Sequence, residues 1–472
     1  MSADNGNVKE FDTMDENTVL QKNTIIVVML TSFLTTFIGS SVTVALPLMG
    51  REFTSSPLML SWMVNSYLLA SAAFLLPMGR IADIAGRKKI FLAGSVLFAA
   101  FTTLCGLAWS NESIIFFRLF QGVAASMIYS TGMALLTSVI PPSRRGRAMG
   151  LAVTATYIGL SVGPVLGGIM CQYISWRSIF YFTGLGGVAV IILALGRLKG
   201  EWADAKGESF DFAGSLFYMS GLVALLYGAS MISTEPLAKY LLVASIFLIA
   251  CFIAIQLKVR YPLFQIRIFS RNAAFAFSNL AAMINYSATF AIGFILSLYL
   301  QIVRGYGPQT TGFIILAQPI VMAAFSSLAG ILSDRIEPRI VASWGMGFNA
   351  LGLAFFVFLK ATTPLSLIVL NLFMIGLGFA LFSSPNTNAI MSSVEKRYYG
   401  IAASTVSTMR MIGMAMSMAL VTVSLSLFVG ENGLSAAHSA ELLKSFRLAF
   451  LMCAVLCFAG VFASLARGNV RS

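Results

Sequence analysis

Apolar runs of about twenty residues, separated by short polar breaks, recur along this chain from residue 24 to residue 466. Crossing about 30 Å of hydrocarbon takes roughly 20 residues of α-helix. The pattern therefore predicts fourteen membrane spans, at 24–46, 61–79, 88–108, 113–138, 149–171, 179–197, 213–232, 239–257, 273–300, 311–333, 340–359, 365–392, 400–428 and 446–466. Proline and glycine interrupt several spans, which a bundle tolerates because neighbouring helices re-satisfy the freed backbone groups. Residues 1–23 break the pattern. They are polar, carry Asp4, Glu10, Asp12, Asp15 and Glu16, and predict a disordered tail with no cleavable signal peptide.

The polar breaks fall into two classes. One alternate set, with both tails, holds Arg80, Arg87, Lys88, Lys89, Arg144, Arg145, Arg147, Arg197, Lys199, Lys258, Arg260, Arg267, Arg271, Arg335, Arg339, Lys396, Arg397 and Arg471 among its cations. The other set holds Arg51, Arg177, Lys239, Arg304, Lys360, Lys444 and Arg447. The positive-inside rule puts the richer set and both termini in the cytoplasm, which requires an even number of spans. The expected location is the cell membrane.

Composition supports the same class. Of 472 residues, 58% are hydrophobic and 10% charged, more apolar surface than a soluble fold can hide. The net charge of +13 is dispersed over short loops and forms no nucleic-acid patch. The one histidine, His438, lies in a polar loop, and all five cysteines lie in apolar runs. Hydrolytic triads, metal centres and a disulfide framework are not expected, and neither is an enzyme.

The stretch Gly79-Arg80-Ile81-Ala82-Asp83-Ile84-Ala85-Gly86-Arg87-Lys88-Lys89 packs four cations and an acid into a tight turn between spans 2 and 3. It resembles the G-x-x-x-D-x-x-G-R-[RK]-[RK] loop of the major facilitator superfamily, with Gly79, Asp83, Gly86, Arg87, Lys88 and Lys89 in place. Gly330 to Asp334-Arg335 repeats part of the spacing at the same end of span 10, as expected of a chain built from two similar halves. In span 4, Arg118-Leu119-Phe120-Gln121-Gly122 resembles the family's R-x-x-x-G element, where the arginine is associated with proton coupling. The residues alone also allow an arginine reaching the outer surface to pair with Glu112. In span 5, Gly159, Gly163, Pro164, Gly167 and Gly168 resemble the antiporter element G-x-x-x-G-P-x-x-G-G. They suit both a close helix seam and a hinge. Trp176-Arg177, Asp211-Phe212-x-Gly214, Tyr261-Pro262-Leu263-Phe264 and Tyr299-Leu300-Gln301 extend the resemblance to the fourteen-helix drug:proton antiporter branch.

That resemblance implies an all-α polytopic major facilitator fold. The expected organisation is a tail at 1–23, a six-helix bundle at 24–198, a linker with two extra helices at 199–272, a second six-helix bundle at 273–467 and a tail at 468–472. It also implies proton-driven efflux of amphipathic small molecules by a monomer in the bilayer, with no cofactor beyond the proton gradient. One departure matters. Where the branch has an acid and an asparagine in span 1, this chain has Ile38 and Thr43. None of its 18 acids is expected near the bilayer midplane, whereas Arg118 and Arg410 both are. Unpaired cations there repel cationic ligands and attract anionic ones. The alternative is that carbonyls, Gln121, Asn386, Asn388 or tyrosines quench both arginines. Candidate pocket residues are Thr43, Asn279, Asn285, Tyr286, Asn386 and Asn388, and Pro385 beside Asn386 predicts an irregular stretch in span 12. Two rival functions remain: an uncoupled or differently coupled carrier of an anionic or lipid-like solute, and a non-transporting membrane sensor.

Overall fold

The computed structural model describes residues 4–141, 144–233, 235–395, 399–430 and 438–468. Lys396, Arg397, Arg471 and all of the expected C-terminal tail beyond Gly468 lie outside the described residues. Among the described residues, 14 helices are long and apolar enough to cross a membrane. They are α1 (Thr18–Glu52), α2 (Pro57–Ala85), α3 (Arg87–Gly106), α4 (Asn111–Val139), α5 (Arg145–Tyr173), α6 (Arg177–Arg197), α7 (Phe212–Met231), α8 (Leu237–Lys258), α9 (Ala273–Val303), α10 (Pro308–Arg335), α11 (Pro338–Val357), α12 (Leu365–Ser392), α13 (Ile401–Phe428) and α14 (Ser439–Leu465). The helix holding α1 begins at Asp4, so the stretch expected as a disordered tail is helical from that residue onward.

Polar side chains fix several helix starts. Ser110 and Ser113 form a reciprocal capping box at α4. Asn272 accepts the Phe275 N–H at α9, and Asp211 accepts the Gly214 N–H at α7. Asp211 also accepts a bond from Gln256 of α8 at 2.7 Å, tying the two extra helices together.

The packing repeats with a period of eight helices. In the first half, α1 packs on α5 and α6, α2 on α4, and α3 on α4 and α6. In the second half, α9 packs on α13 and α14, α10 on α12, and α11 on α12 and α14. The main seams between the halves are α2 with α13 and α5 with α10, and α1 also meets the second segment of α9. Helix α7 lies against both α2 and α13. Its Ser230 accepts from Asn65 at 3.0 Å, and Tyr218 donates to the Ala72 carbonyl at 2.9 Å. Helix α8 is the least buried of the set.

Helix regularity departs from the sequence reading. Helix α12 runs unbroken through Pro385. Irregularity falls instead on α10, interrupted at Leu316, and more strongly on α9, which ends its first segment at Thr289, resumes at Ile292 and winds as a π-helix over Tyr299–Val303. Single π-turns of this kind recur at functional sites.

Candidate functional site: the gap between the two bundles

The face where α1 begins is called the near face, and the opposite one the far face. The far halves of the two bundles are sealed together. Gln301, from the π-turn of α9, donates to the Val44 carbonyl of α1 at 2.9 Å. Thr422 of α13 donates to Ser61 of α2 at 3.0 Å, and both are fully buried. Tyr173 at the end of α5 donates to Gln309 of α10 at 3.1 Å. Gly168 lies so close to the α10 backbone that an added Cβ would stand 2.5 Å from the Pro308 oxygen. The near halves of the same helices are uncovered. Leu151, Val153, Thr154 and Ile158 of α5 and Phe325, Ser327, Leu328, Ile331 and Leu332 of α10 are exposed. At 100° per residue each set lies within an arc of about 160°, and on α5 that arc includes Val153, about 20° from the Pro164 direction that faces α10, so the bundle-facing side of its near half is open.

The span-5 glycines divide by neighbour. Gly159, Gly163 and Gly167 lie on α1, where Ser41 donates to the Gly163 carbonyl at 2.8 Å and Ser40 to the Gly159 carbonyl at 3.3 Å. They form a seam inside the first bundle. Gly168 and the carbonyl of Pro164 face α10 across the gap, the latter against Gly312.

At the near face, Gly86 adopts φ +121°, a left-handed conformation that glycine accepts readily. Arg87 donates to Asp83 at 2.7 and 2.9 Å, donates to Ser138 of α4 at 2.6 Å and pairs with Asp204 at 2.8 Å. The linker after α6 straps this loop. Glu201 accepts the N–H of Lys88 at 2.8 Å and of Lys89 at 3.2 Å, Arg87 N–H donates to the Trp202 carbonyl, and Ala205 N–H to the Asp83 carbonyl. Arg80 pairs with Glu208. In the second half, Asn388 of α12 donates to Asp334 at 3.3 Å and to Ser333 at 3.2 Å; Arg335 beside them is exposed. Asn388 therefore sits at the near-face end of its helix, on the group equivalent to Asp83, and not in a central pocket.

Arg118 is 2% exposed inside the first bundle. It donates to the Met63 carbonyl at 3.0 Å and to Gln121 at 2.8 Å, Gln121 donates to Thr102, and the guanidinium lies 4.5 Å from the Tyr67 ring centroid. Pairing with Glu112 does not occur, because Glu112 is exposed in the first turn of α4. Six residues on a helix are about 9 Å and 240° apart, so the two point in different directions.

Of the pocket candidates, only Tyr286 joins Arg410. Arg410 of α13 is half-buried, donates to Thr387 of α12 at 3.3 Å and lies 5.4 Å from the Tyr286 ring centroid. Its Nε is buried without an acceptor. Tyr286, Met322 and Phe379 of the second bundle pack with Tyr157 and Leu160 of α5 and with Met414. The others lie elsewhere. Thr43 donates to the Ser40 carbonyl of its own helix, Asn279 to the Phe275 carbonyl, and Asn285 accepts from Asn349 of α11 inside the bundle. Asn386 donates to the Ser278 carbonyl and accepts from Arg467 at 2.9 Å.

Arg467 has no counterpart in the sequence reading beyond its charge. It is 2% exposed, donates to the Ser464 carbonyl at 2.7 Å and to Ser278 at 3.3 Å, and also bonds the Ser464 hydroxyl. Burial pulls its guanidinium down to about 10, against the opposing charge of Glu337. It stays protonated at neutral pH and clamps α9, α12 and α14 at the near face. Tyr157, Thr387 and Glu201 likewise carry no signal in sequence, since each is an ordinary polar residue that acquires a role only through its neighbours, and Gln301 stands there only as part of a motif with no contact assigned to it.

A family model described as Major Facilitator Superfamily matches residues 28–418 and 278–470. The chain is 26% identical over 440 residues to the riboflavin transporter RibZ of Clostridioides difficile (strain 630), covering 93% of this chain and 95% of that one. It is 30% identical over 387 residues to the multidrug resistance protein Stp of Mycobacterium tuberculosis, covering 80% and 71%. A solved bacterial homologue of the human lysosomal transporter Spinster, in an inward-facing and unoccupied conformation, shares the fold with a TM-score of 0.69 at 15% identity, over 95% of this chain and 97% of that one.

Proposed function

This chain belongs to the major facilitator superfamily of membrane transporters, and on that premise we propose that it exports amphipathic small molecules from the cell by alternating access. The near face, richer in Lys and Arg, is the cytoplasmic one. The observation that carries the reading is the asymmetry of the gap. Hydrogen bonds at Gln301–Val44 and Thr422–Ser61 and the close backbone approach of Gly168 to Pro308 close its far half, while the near halves of α5 and α10 are uncovered. A rigid-body rocking that exchanged these two conditions would carry a solute across. The Asp83–Arg87 loop acts as a latch that leaves its linker partners in the opposite state. The resistance function named for the 30% identical relative agrees with export.

A second reading concerns the driving force. Among the described residues whose side chains are placed, every Asp and Glu lies at a helix end or in a connection, including Asp83, Glu112 and Asp334. This favours a carrier without a titrating mid-membrane carboxylate over the proton antiport that the resemblance implies. The test is flux in proteoliposomes holding a pH dye, with a pH gradient and a membrane potential imposed separately. Amphiphile movement coupled to proton movement establishes antiport. Movement driven by potential with no pH change establishes the second reading. No movement under either condition refutes export.

A further inference from the structure

The two bundles contain three interior arginines, and they differ in what they have left to give. Arg118 and Arg467 are each 2% exposed and hold two or more acceptors from their own bundle. Arg410 is half-buried at the gap. Among the described residues Thr387 is its one hydrogen-bond acceptor, at 3.3 Å, and Nε has none. A guanidinium carries five N–H donors in a planar fork suited to an oxyanion. It lies nine residues into α13, about 14 Å along the helix from the near face. No placed carboxylate reaches that depth among the described residues, so the protein supplies the charge without its counter-charge.

We propose that Arg410, with Thr387, Tyr286 and Tyr157, forms the subsite for the anionic group of an amphipathic substrate, a carboxylate or sulfonate on an apolar body. The proposal rests on the transport reading above and names the substrate class. The apolar body lies on Tyr286, Met322, Phe379 and Leu160. Because Tyr157 and Leu160 come from α5 and the rest from the second bundle, a ligand held here touches both bundles. That is what a substrate must do to bias their relative position. Binding supplies the missing counter-charge, so the loaded site is neutral, and one full cycle of loaded and empty steps carries the substrate's negative charge outward, in the direction an inside-negative potential favours.

The test measures binding of anilinonaphthalene sulfonate and of its uncharged relative N-phenylnaphthylamine to the full chain in nanodiscs. Arg410→Gln is expected to weaken sulfonate binding about tenfold or more, with the neutral probe changed less than about twofold and Arg410→Lys intermediate. The proposal is overturned by sulfonate binding that is undetectable in the native chain, unchanged in Arg410→Gln, or lost in equal measure with that of the neutral probe. If Arg410→Gln does not fold, Arg410→Lys carries the same comparison, since an ammonium lacks the bidentate fork. Flux of the sulfonate in proteoliposomes separates the two claims. Arg410-dependent binding without flux keeps the subsite and removes export. Equal flux in the native chain and Arg410→Gln removes the subsite and keeps export.

Discussion

Gly167 and Gly168 are neighbours in sequence, yet substitution of each should disturb a different boundary. A Cβ at Gly168 would stand 2.5 Å from the Pro308 oxygen and 3.0 Å from the Gln309 Cα. Both obstacles are backbone, so no side chain can rotate away. Restoring ordinary contact requires the α5–α10 seam to part by several tenths of an ångström, and overpacking of this kind costs about 1–3 kcal/mol. The cost falls on the sealed state alone, because the contact joins the two bundles. At about 1.4 kcal/mol per tenfold, Gly168→Ala shifts the population toward the outward-open state by about 5- to 150-fold. A Cβ at Gly167 meets Ser41 at 2.8 Å inside the first bundle. Gly167→Ala therefore lowers stability and leaves that ratio unchanged. The reporter is Ser61→Cys, on the separate α2–α13 seam, in a background with the five native cysteines replaced. Labelling by an impermeant maleimide from outside intact cells should accelerate within that range for Gly168→Ala alone. Unaltered labelling in a folded Gly168→Ala protein, or equal acceleration by Gly167→Ala, refutes the reasoning.

Other outcomes follow from the buried polar groups. Arg467→Met leaves the Asn386 side-chain oxygen and the Ser464 carbonyl without their donor and costs about 2–4 kcal/mol, read as a lower unfolding midpoint. Asn386→Ala acts in the same direction, and the double variant loses less than the sum; strict additivity would contradict the clamp. Arg118→Lys keeps the charge but cannot reach both Met63 and Gln121, so flux falls about tenfold or more in protein that still folds; native flux would make Arg118 a packing residue only. Glu201→Gln weakens the strap over Lys88 and Lys89, and trypsin then cuts the linker at Lys199 and Lys206 faster; an unchanged cleavage rate would mean that the strap holds without that charge.

Helix number was legible because the membrane fixes span length, and fourteen apolar runs correspond to fourteen helices. Which face of each helix points where was not. Lipid and bundle core are both apolar, so an asparagine at position 285, 386 or 388 looks the same whether it meets the gap, a neighbouring helix or a helix end. Asn285 joins Asn349, Asn386 joins Arg467, and Asn388 joins Asp334. Arg467 follows the last apolar run by one residue and reads as a loop cation until the serines and Asn386 close around it. The separation of Arg118 from Glu112 was available in the spacing, since six helical residues do not share a face. The gap itself is a product of how far two bundles stand apart, which no local pattern encodes.

The central claim is that the far and near halves of the gap open alternately. Two spin-label pairs read it directly, one at positions 173 and 309 on the far side and one at 154 and 328 on the near side. Without ligand, the account predicts a short far-side distance and a long near-side distance. A transported amphiphile should lengthen the first and shorten the second together in the same molecules. Distances that stay fixed while transport proceeds, or that change in the same direction, contradict it.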